Sequence, residues 1–267
     1  MTQPALGSAD THPRPRPWLA SGDLSRTQFA TALLLVVFVA LGLRLVYPIA
    51  DPPSRPTVGI VWHDEGTWVH NARNRVLFGA WKLDEWNPMY VTPVLTGLEY
   101  VSFRLFGVGL RQARLVPELL GVLSVLLIGL GVARAANRLA GLIAAGLLAV
   151  NFVYVMYDRA ATIEATMVAV LVVAWYAYAR AGDSPKWGLL AGLGAVLAYF
   201  TKASAVFFVA ALGLDALLSL ALPANPGARS SAGSARRRAA AYTLAGLVIA
   251  ALLALVFFVL PNWQEYR

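Results

Sequence analysis

An all-α, polytopic membrane helical bundle of about seven to eight spans is the fold class the sequence predicts, and three observations predict it. Hydrophobic residues make up 58% of the 267 and charged residues only 13%, where a soluble domain carries about a quarter charged. The apolar excess is more than a soluble globule of this size can bury. The charges are also sorted by position. Windows 29–48, 115–133, 139–157, 165–179, 187–201, 203–222 and 241–260 contain only Arg44, Glu118 and Asp215, and every other charge lies between them. Most of these windows approach the roughly 20 residues that a helix needs to cross a hydrocarbon core about 30 Å thick.

Residues 1–28 are polar and rich in proline and read as a disordered cytoplasmic tail, with window 29–48 as an uncleaved signal anchor. A transmembrane module then fills 29–267. The tail's Arg14, Arg16 and Arg26 hold the N-terminus inside, so the first span delivers residues 49–114 to the outer face as a long first loop. Within it, Trp62-His63-Asp64-Glu65 precedes a run in which Val69, Ala72, Val76 and Leu77 recur at helical spacing up to Gly79. The spacing predicts a juxtamembrane helix starting near Asp64.

Thr92–Phe106 decides the topology. If it crosses, Arg134, Arg138, Arg180, Lys186, Arg229 and Arg236–Arg238 all fall outside, against the rule that short cytoplasmic loops collect Lys and Arg. If it lies along the surface or re-enters, all of them fall inside, the loop 223–240 among them. Glu99 and Arg104 within the stretch favour the second reading, since charge at membrane depth is costly. Window 187–201 is short for a span and must tilt, thin the bilayer or continue through its polar end. Gly188 with Gly192 fits close helix–helix contact.

No cysteine is present, so disulfide frameworks, zinc knuckles and thiolate nucleophiles are excluded. The net charge of +8 is spread over many loops and reads as topology, with no face for nucleic acid. Two sites for chemistry share the predicted outer face. Asp64 is either an N-cap, with Glu65 a first-turn acid favouring the helix dipole, or a general base close to an incoming hydroxyl. Tyr157–Glu164 joins two uncharged windows, and Arg159 in it, like Lys202, is either a solvated or snorkelling residue or a fixed cation for an anionic headgroup. His63 beside two acids is not a diagnostic metal spacing. Asp215 lies toward the cytoplasmic half of its window, away from this cluster.

These residues resemble the GT-C glycosyltransferases, particularly the branch of protein O-mannosyltransferases and lipid A aminoarabinose transferases. The resemblance rests on Asp64-Glu65 after a first span, on Leu105-Phe106-Gly107-Val108 with Ala113-Arg114-Leu115-Val116-Pro117-Glu118-Leu119-Leu120-Gly121, on Arg159-Ala160-Ala161-Thr162-Ile163-Glu164, and on Tyr199-Phe200-Thr201-Lys202. It covers about residues 29–215. Two departures stand out. Thr67 and Trp68 replace the Arg and aromatic that usually follow the acidic pair, and Tyr90-Val91-Thr92-Pro93 replaces a Glu-Lys-Pro-Pro type element.

The resemblance implies a membrane enzyme that moves a sugar from a polyprenyl-phosphate donor to a glycan, lipid or protein acceptor at the extracytoplasmic face, with inversion. It implies Asp64 and Glu65 as catalytic residues and Arg159 and Lys202 as contacts for the donor phosphate. Glu164 and His63 would orient the acceptor or a divalent cation. Members of the family run to about twice this length, as two-domain proportions allow, so the chain is expected to be an N-terminal fragment or a short member. Two other readings stay open: a secondary transporter or lipid carrier, and a non-catalytic protein that binds a lipid-linked sugar.

Overall fold

Ser25 caps the first helix. Its hydroxyl accepts from the Gln28 backbone N–H at 3.2 Å while the Gln28 side chain accepts from the Ser25 N–H at 2.9 Å, a reciprocal cap that satisfies two otherwise orphaned donors. Helix α1 (Arg26–Leu45) follows. The computed structural model describes residues 23–46, 48–49, 64–222 and 230–267. The expected tail therefore lies outside the described residues up to position 22, and the capping box makes its last three positions, 26–28, helical.

Helix α2 (Glu65–Phe78) begins beside Asp64, where the spacing predicts a helix, and ends at Gly79, whose φ of +76° suits glycine. A 3-10 turn at Pro88–Tyr90 leads to α3 (Pro93–Phe106). Gly107, at φ +84°, then turns the chain into α4 (Leu110–Ala135). Helices α5 (Arg138–Val150) and α6 (Phe152–Asp158) divide the window 139–157, which reads in sequence as one helix, with a bend of 62° between them. The cause is Asn151, whose side-chain oxygen accepts from the Tyr154 N–H at 2.9 Å. A side chain that caps a new helix competes with continuation of the old one.

Helices α7 (Ile163–Ala179), α8 (Pro185–Tyr199) and α9 (Val206–Ala221) complete the middle of the chain. Helix α10 (Ser230–Ala254) passes into a π turn at Leu255–Val259 and a 3-10 segment at Leu260–Tyr266. The stretch 223–240, expected as a basic loop, is thus helical from Ser230. Among the described residues, four helices are long and apolar enough to cross a membrane, or five if the α5–α6 pair is one broken span. At 17 and 15 residues, α7 and α8 reach only about 25 and 22 Å, so the bilayer must thin or their polar ends must enter it.

Glycine lets the helices touch. A Cβ on Gly192 would lie 2.3 Å from the Leu247 backbone nitrogen, and one on Gly246 would lie 2.5 Å from the Leu189 carbonyl oxygen. Gly188 likewise faces the Ala239 carbonyl at 3.0 Å. The α8–α10 pair therefore packs backbone to backbone, as small residues allow where lipid removes the hydrophobic drive for helix association. Outward, Phe38 is 61% and Phe207 79% exposed, the side chains of a surface that meets acyl chains.

The ionic contacts fall at two ends of the bundle. At one end Asp23 accepts from the Arg138 N–H at 2.9 Å, Arg134 and Arg180 both meet Asp183, and Asp215 meets the Tyr178 hydroxyl and Arg236. At the other end stand Glu65–Arg114, Arg44–Asp158, Lys202–Glu164 and Lys82–Glu265. Arg114, in the first turns of α4, donates to the Pro48 carbonyl just beyond α1 at 3.2 Å. So α1 ends and α4 begins at the same end, and α2 and α3 remain there between them.

Candidate active site

The acidic pair is split by its surroundings. Glu65 is 2% exposed. Its two carboxylate oxygens accept from Arg114 Nε and Nη2, each at 2.8 Å, and Oε1 also accepts from the Ala161 backbone N–H at 2.7 Å. Such bidentate, charge-assisted geometry fixes direction as well as distance. Glu65 thereby ties the start of α2 to α4 and to the α6–α7 turn. Glu65 is the first-turn acid of α2 that the helix-dipole reading describes, with its charge turned onto Arg114.

Asp64 stands one residue earlier, at the N-cap position of α2. Its backbone is helical, at φ −85° and ψ −17°, and its side chain caps nothing. An N-cap residue normally takes an extended conformation to turn its oxygen onto the first free N–H groups. With its own backbone already in the helical region, Asp64 leaves its carboxylate exposed to solvent and without a hydrogen bond or ion pair among the described residues. The capping reading of Asp64 is thus corrected.

Beneath this pair lies a second buried bridge. Arg44, near the end of α1, donates to Asp158 Oδ2 from Nε at 3.1 Å and from Nη2 at 2.7 Å, and its Nη1 reaches the Ala40 carbonyl at 2.9 Å. Both side chains are fully buried. Gly121 makes room for them, since a Cβ there would sit 2.1 Å from Asp158 Oδ2. Sequence reasoning noted Arg44 within a span and Asp158 at a turn but did not pair them. The signal was available, because a charge at membrane depth requires a partner.

The expected cations lie around the same end. Arg159 donates from Nη2 to the Val46 carbonyl at 2.7 Å, which holds the α6–α7 turn against the end of α1. Lys202, in the short link between α8 and α9, is bonded to Glu164 in the first turn of α7; both are partly exposed. The structure thus brings Asp64, Glu65, Arg159, Glu164 and Lys202 to one end of the bundle. His63 lies outside the described residues.

Glu99 of α3 is a buried acid of a different kind. Neither of its oxygens has a hydrogen-bond partner. Burial pushes its carboxyl well above the usual range, and the neighbouring negative charge of Glu65 pushes it further.

No three acidic or histidine side chains gather into a metal site among the described residues. The donor chemistry agrees: a guanidinium already fills the Glu65 carboxylate and an ammonium meets Glu164. Glu65 and Glu164 thus each already face a cationic side chain.

Residues 91–263, more than half of the chain, match the family of dolichyl-phosphate-mannose-protein mannosyltransferases. The chain belongs to this family. It is accordingly a membrane glycosyltransferase of the GT-C type, as the acidic pair and the three motifs after it implied. In this mannosyltransferase-family chain the matched stretch includes Arg114, Arg159, Glu164 and Lys202, whereas Asp64 and Glu65 precede it. No curated protein matches the chain. The motif residues also acquire physical roles: Arg114 is the guanidinium that holds Glu65, Gly121 accommodates the Arg44–Asp158 bridge, and Lys202 pairs with the acid that ends the Arg159–Glu164 element.

Proposed function

We propose that the protein transfers a sugar from a polyprenyl-phosphate donor to an acceptor hydroxyl at the extracytoplasmic face, by a single inverting displacement. The observation that carries this reading is the split acidic pair: Glu65 is consumed by Arg114 and Ala161, so Asp64 is presented as a free carboxylate on an anchored residue. Asp64 accepts the acceptor's proton as its oxygen attacks the anomeric carbon. The bond from that carbon to the phosphate oxygen breaks, and the polyprenyl phosphate leaves with the electron pair.

A phosphate leaving group needs cationic stabilisation more than a proton donor. Arg159 and Lys202 supply it, and Glu164 holds the Lys202 ammonium in place. Glu65 acts through position alone. His63 and Glu164 orient the acceptor. No step is routed through a metal ion. The basic residues Arg134, Arg138, Arg180 and Arg236 stand at the opposite end of the bundle, which supports a cytoplasmic location for that end and an outer location for the site. The family's own description supports mannose as the sugar and a protein as the acceptor.

The test is transfer of labelled mannose from polyprenyl-phosphate mannose to a hydroxyl-bearing peptide, using the full chain in nanodiscs. Asp64→Asn should lower kcat by about 10²–10⁴ with an unchanged melting midpoint. Undiminished turnover in Asp64→Asn would refute the base assignment.

A further inference from the structure

Helix α4 turns one stripe of residues inward. Arg114, Pro117, Glu118, Gly121 and Ser124 are buried on it, at the three- and four-residue steps that keep side chains on one face. What lies across from this stripe is fixed at two points. At the first, Arg114 meets Glu65, which also accepts from the Ala161 N–H. At the second, two turns later, a Cβ on Gly121 would lie 2.1 Å from Asp158 Oδ2. Glu118 stands between these two points on α4, and Arg159 and Ala160 stand between them on the α6–α7 turn. The stripe and the turn thus run past each other with Glu118 opposite Arg159.

Charge makes the same match. Glu118 is 1% exposed and lies within a span, where a carboxylate is costly unless a cation is near it. Its Oε1 has no hydrogen-bond partner among the described residues, so what this oxygen offers its surroundings is charge. Of the cations that act on the carboxylate, Arg159 is foremost, ahead of Arg114, Arg111 and Arg44. Arg114 and Arg44 each meet a carboxylate of their own, Glu65 and Asp158. Arg159 donates to an uncharged group, the Val46 carbonyl, at 2.7 Å. Two acids at this end therefore hold their arginines by direct bonds, and the third acts on its arginine through its field, which the low polarity of the interior strengthens.

We infer that Glu118 is a positioning residue for Arg159, its buried carboxylate directing the guanidinium that meets the donor phosphate. The inference rests on the assignment of Arg159 to the donor phosphate. An arginine has a long stem and many rotamers, and a fixed counter-charge beneath it narrows the directions its guanidinium takes. Removing that charge has two opposed effects. The positive potential at the site rises, which favours a phosphate, and the guanidinium loses its direction. Water at the partly exposed Arg159 screens the first effect, whereas paired N–H bonds to a phosphate depend on direction, so the second is the larger.

The test uses the full chain in nanodiscs with labelled polyprenyl-phosphate mannose as the varied substrate. Glu118→Gln removes the charge at nearly constant volume. It should raise the donor KM about fivefold or more, with kcat within about twofold and an unchanged melting midpoint. Arg159→Gln should raise the donor KM on its own, and adding Glu118→Gln to it should change nothing more, because residues that act through one contact do not add. Should Glu118→Gln fail to fold, Glu118→Asp withdraws the charge by one methylene and should raise the donor KM in the wild-type background but not in the Arg159→Gln background.

An unchanged or lowered donor KM in folded Glu118→Gln, or an equal rise in both backgrounds, would overturn the positioning role and leave the Arg159 assignment standing. An unchanged donor KM in Arg159→Gln would overturn both.

Discussion

Replacing Glu65 by alanine tests the reading that this carboxylate is an anchor. The change removes the carboxylate that the buried Arg114 guanidinium meets through Nε and Nη2, each at 2.8 Å. Breaking a buried ion pair by removing one partner costs about 3–5 kcal/mol. The Ala161 N–H loses its acceptor as well, adding about 1 kcal/mol or more. A total of about 4–6 kcal/mol is a large share of the roughly 5–15 kcal/mol that holds a protein folded.

The double variant Glu65→Leu with Arg114→Met removes both charges. It should recover most of that loss, because apolar replacement of a whole buried pair is often nearly neutral. SDS-driven unfolding in mixed micelles, followed by tryptophan fluorescence, measures all four corners of the cycle. A coupling of about 3 kcal/mol or more between the two sites is expected. If Glu65→Ala costs less than about 1 kcal/mol, or if the two substitutions simply add, Glu65 is not the tie that positions Asp64.

Three further outcomes follow from single contacts. Gly121→Ala puts a methyl group 2.1 Å from Asp158 Oδ2 and should destabilise by about 3 kcal/mol or more through overpacking and disruption of the Arg44–Asp158 bridge; Gly97→Ala, in open space, should instead stabilise by about 0.5–1 kcal/mol, both read by the same unfolding assay. Asp64→Ala should change stability by less than about 0.5 kcal/mol, where loss of a working N-cap would cost about 1 kcal/mol; a full cap-sized loss would show that the side chain caps α2 after all. Burial and the Glu65 charge raise the Glu99 carboxyl well above its ordinary value of 4.5, so its contribution to stability is fully present below that value and is lost as pH rises through the folded one. Glu99→Gln should therefore match the wild-type midpoint at acid pH and exceed it increasingly toward neutral pH; a constant offset across the range would remove Glu99 as the source.

Position along the chain was readable wherever a single element decides it. The charge-poor windows fall on α1, α4, the α5–α6 pair, α7, α8, α9 and α10, and Gly79 ends α2 where the periodicity stops. Gly188 with Gly192 signalled a close helix contact without its partner, which the structure shows to be α10. The break at Asn151 was less visible, since an asparagine inside an apolar run reads as a polar residue to be tolerated until its capping bond to Tyr154 is seen. The basic stretch before α10 was read as a loop because arginines mark cytoplasmic ends; Arg236 donating to Ser219 at 3.1 Å shows how α9 supports that helical turn.

The site was readable as a list of residues but not as a division of labour. Adjacent carboxylates in sequence look equivalent, and only the fold shows that Glu65 turns inward to a guanidinium from 49 residues away while Asp64 turns out. The difference has a physical basis. One carboxylate in a partly dry interface must be neutralised, and a bidentate arginine does this while fixing the backbone. Its neighbour on the same helix turn then inherits a fixed position without being neutralised itself. In the proposed mechanism, a base so held keeps its lone pairs for an acceptor proton. The same principle applies to Lys202, paired with the acid of the Arg159–Glu164 element: in the proposed mechanism the counter-ion holds a long, flexible ammonium until the anionic donor arrives.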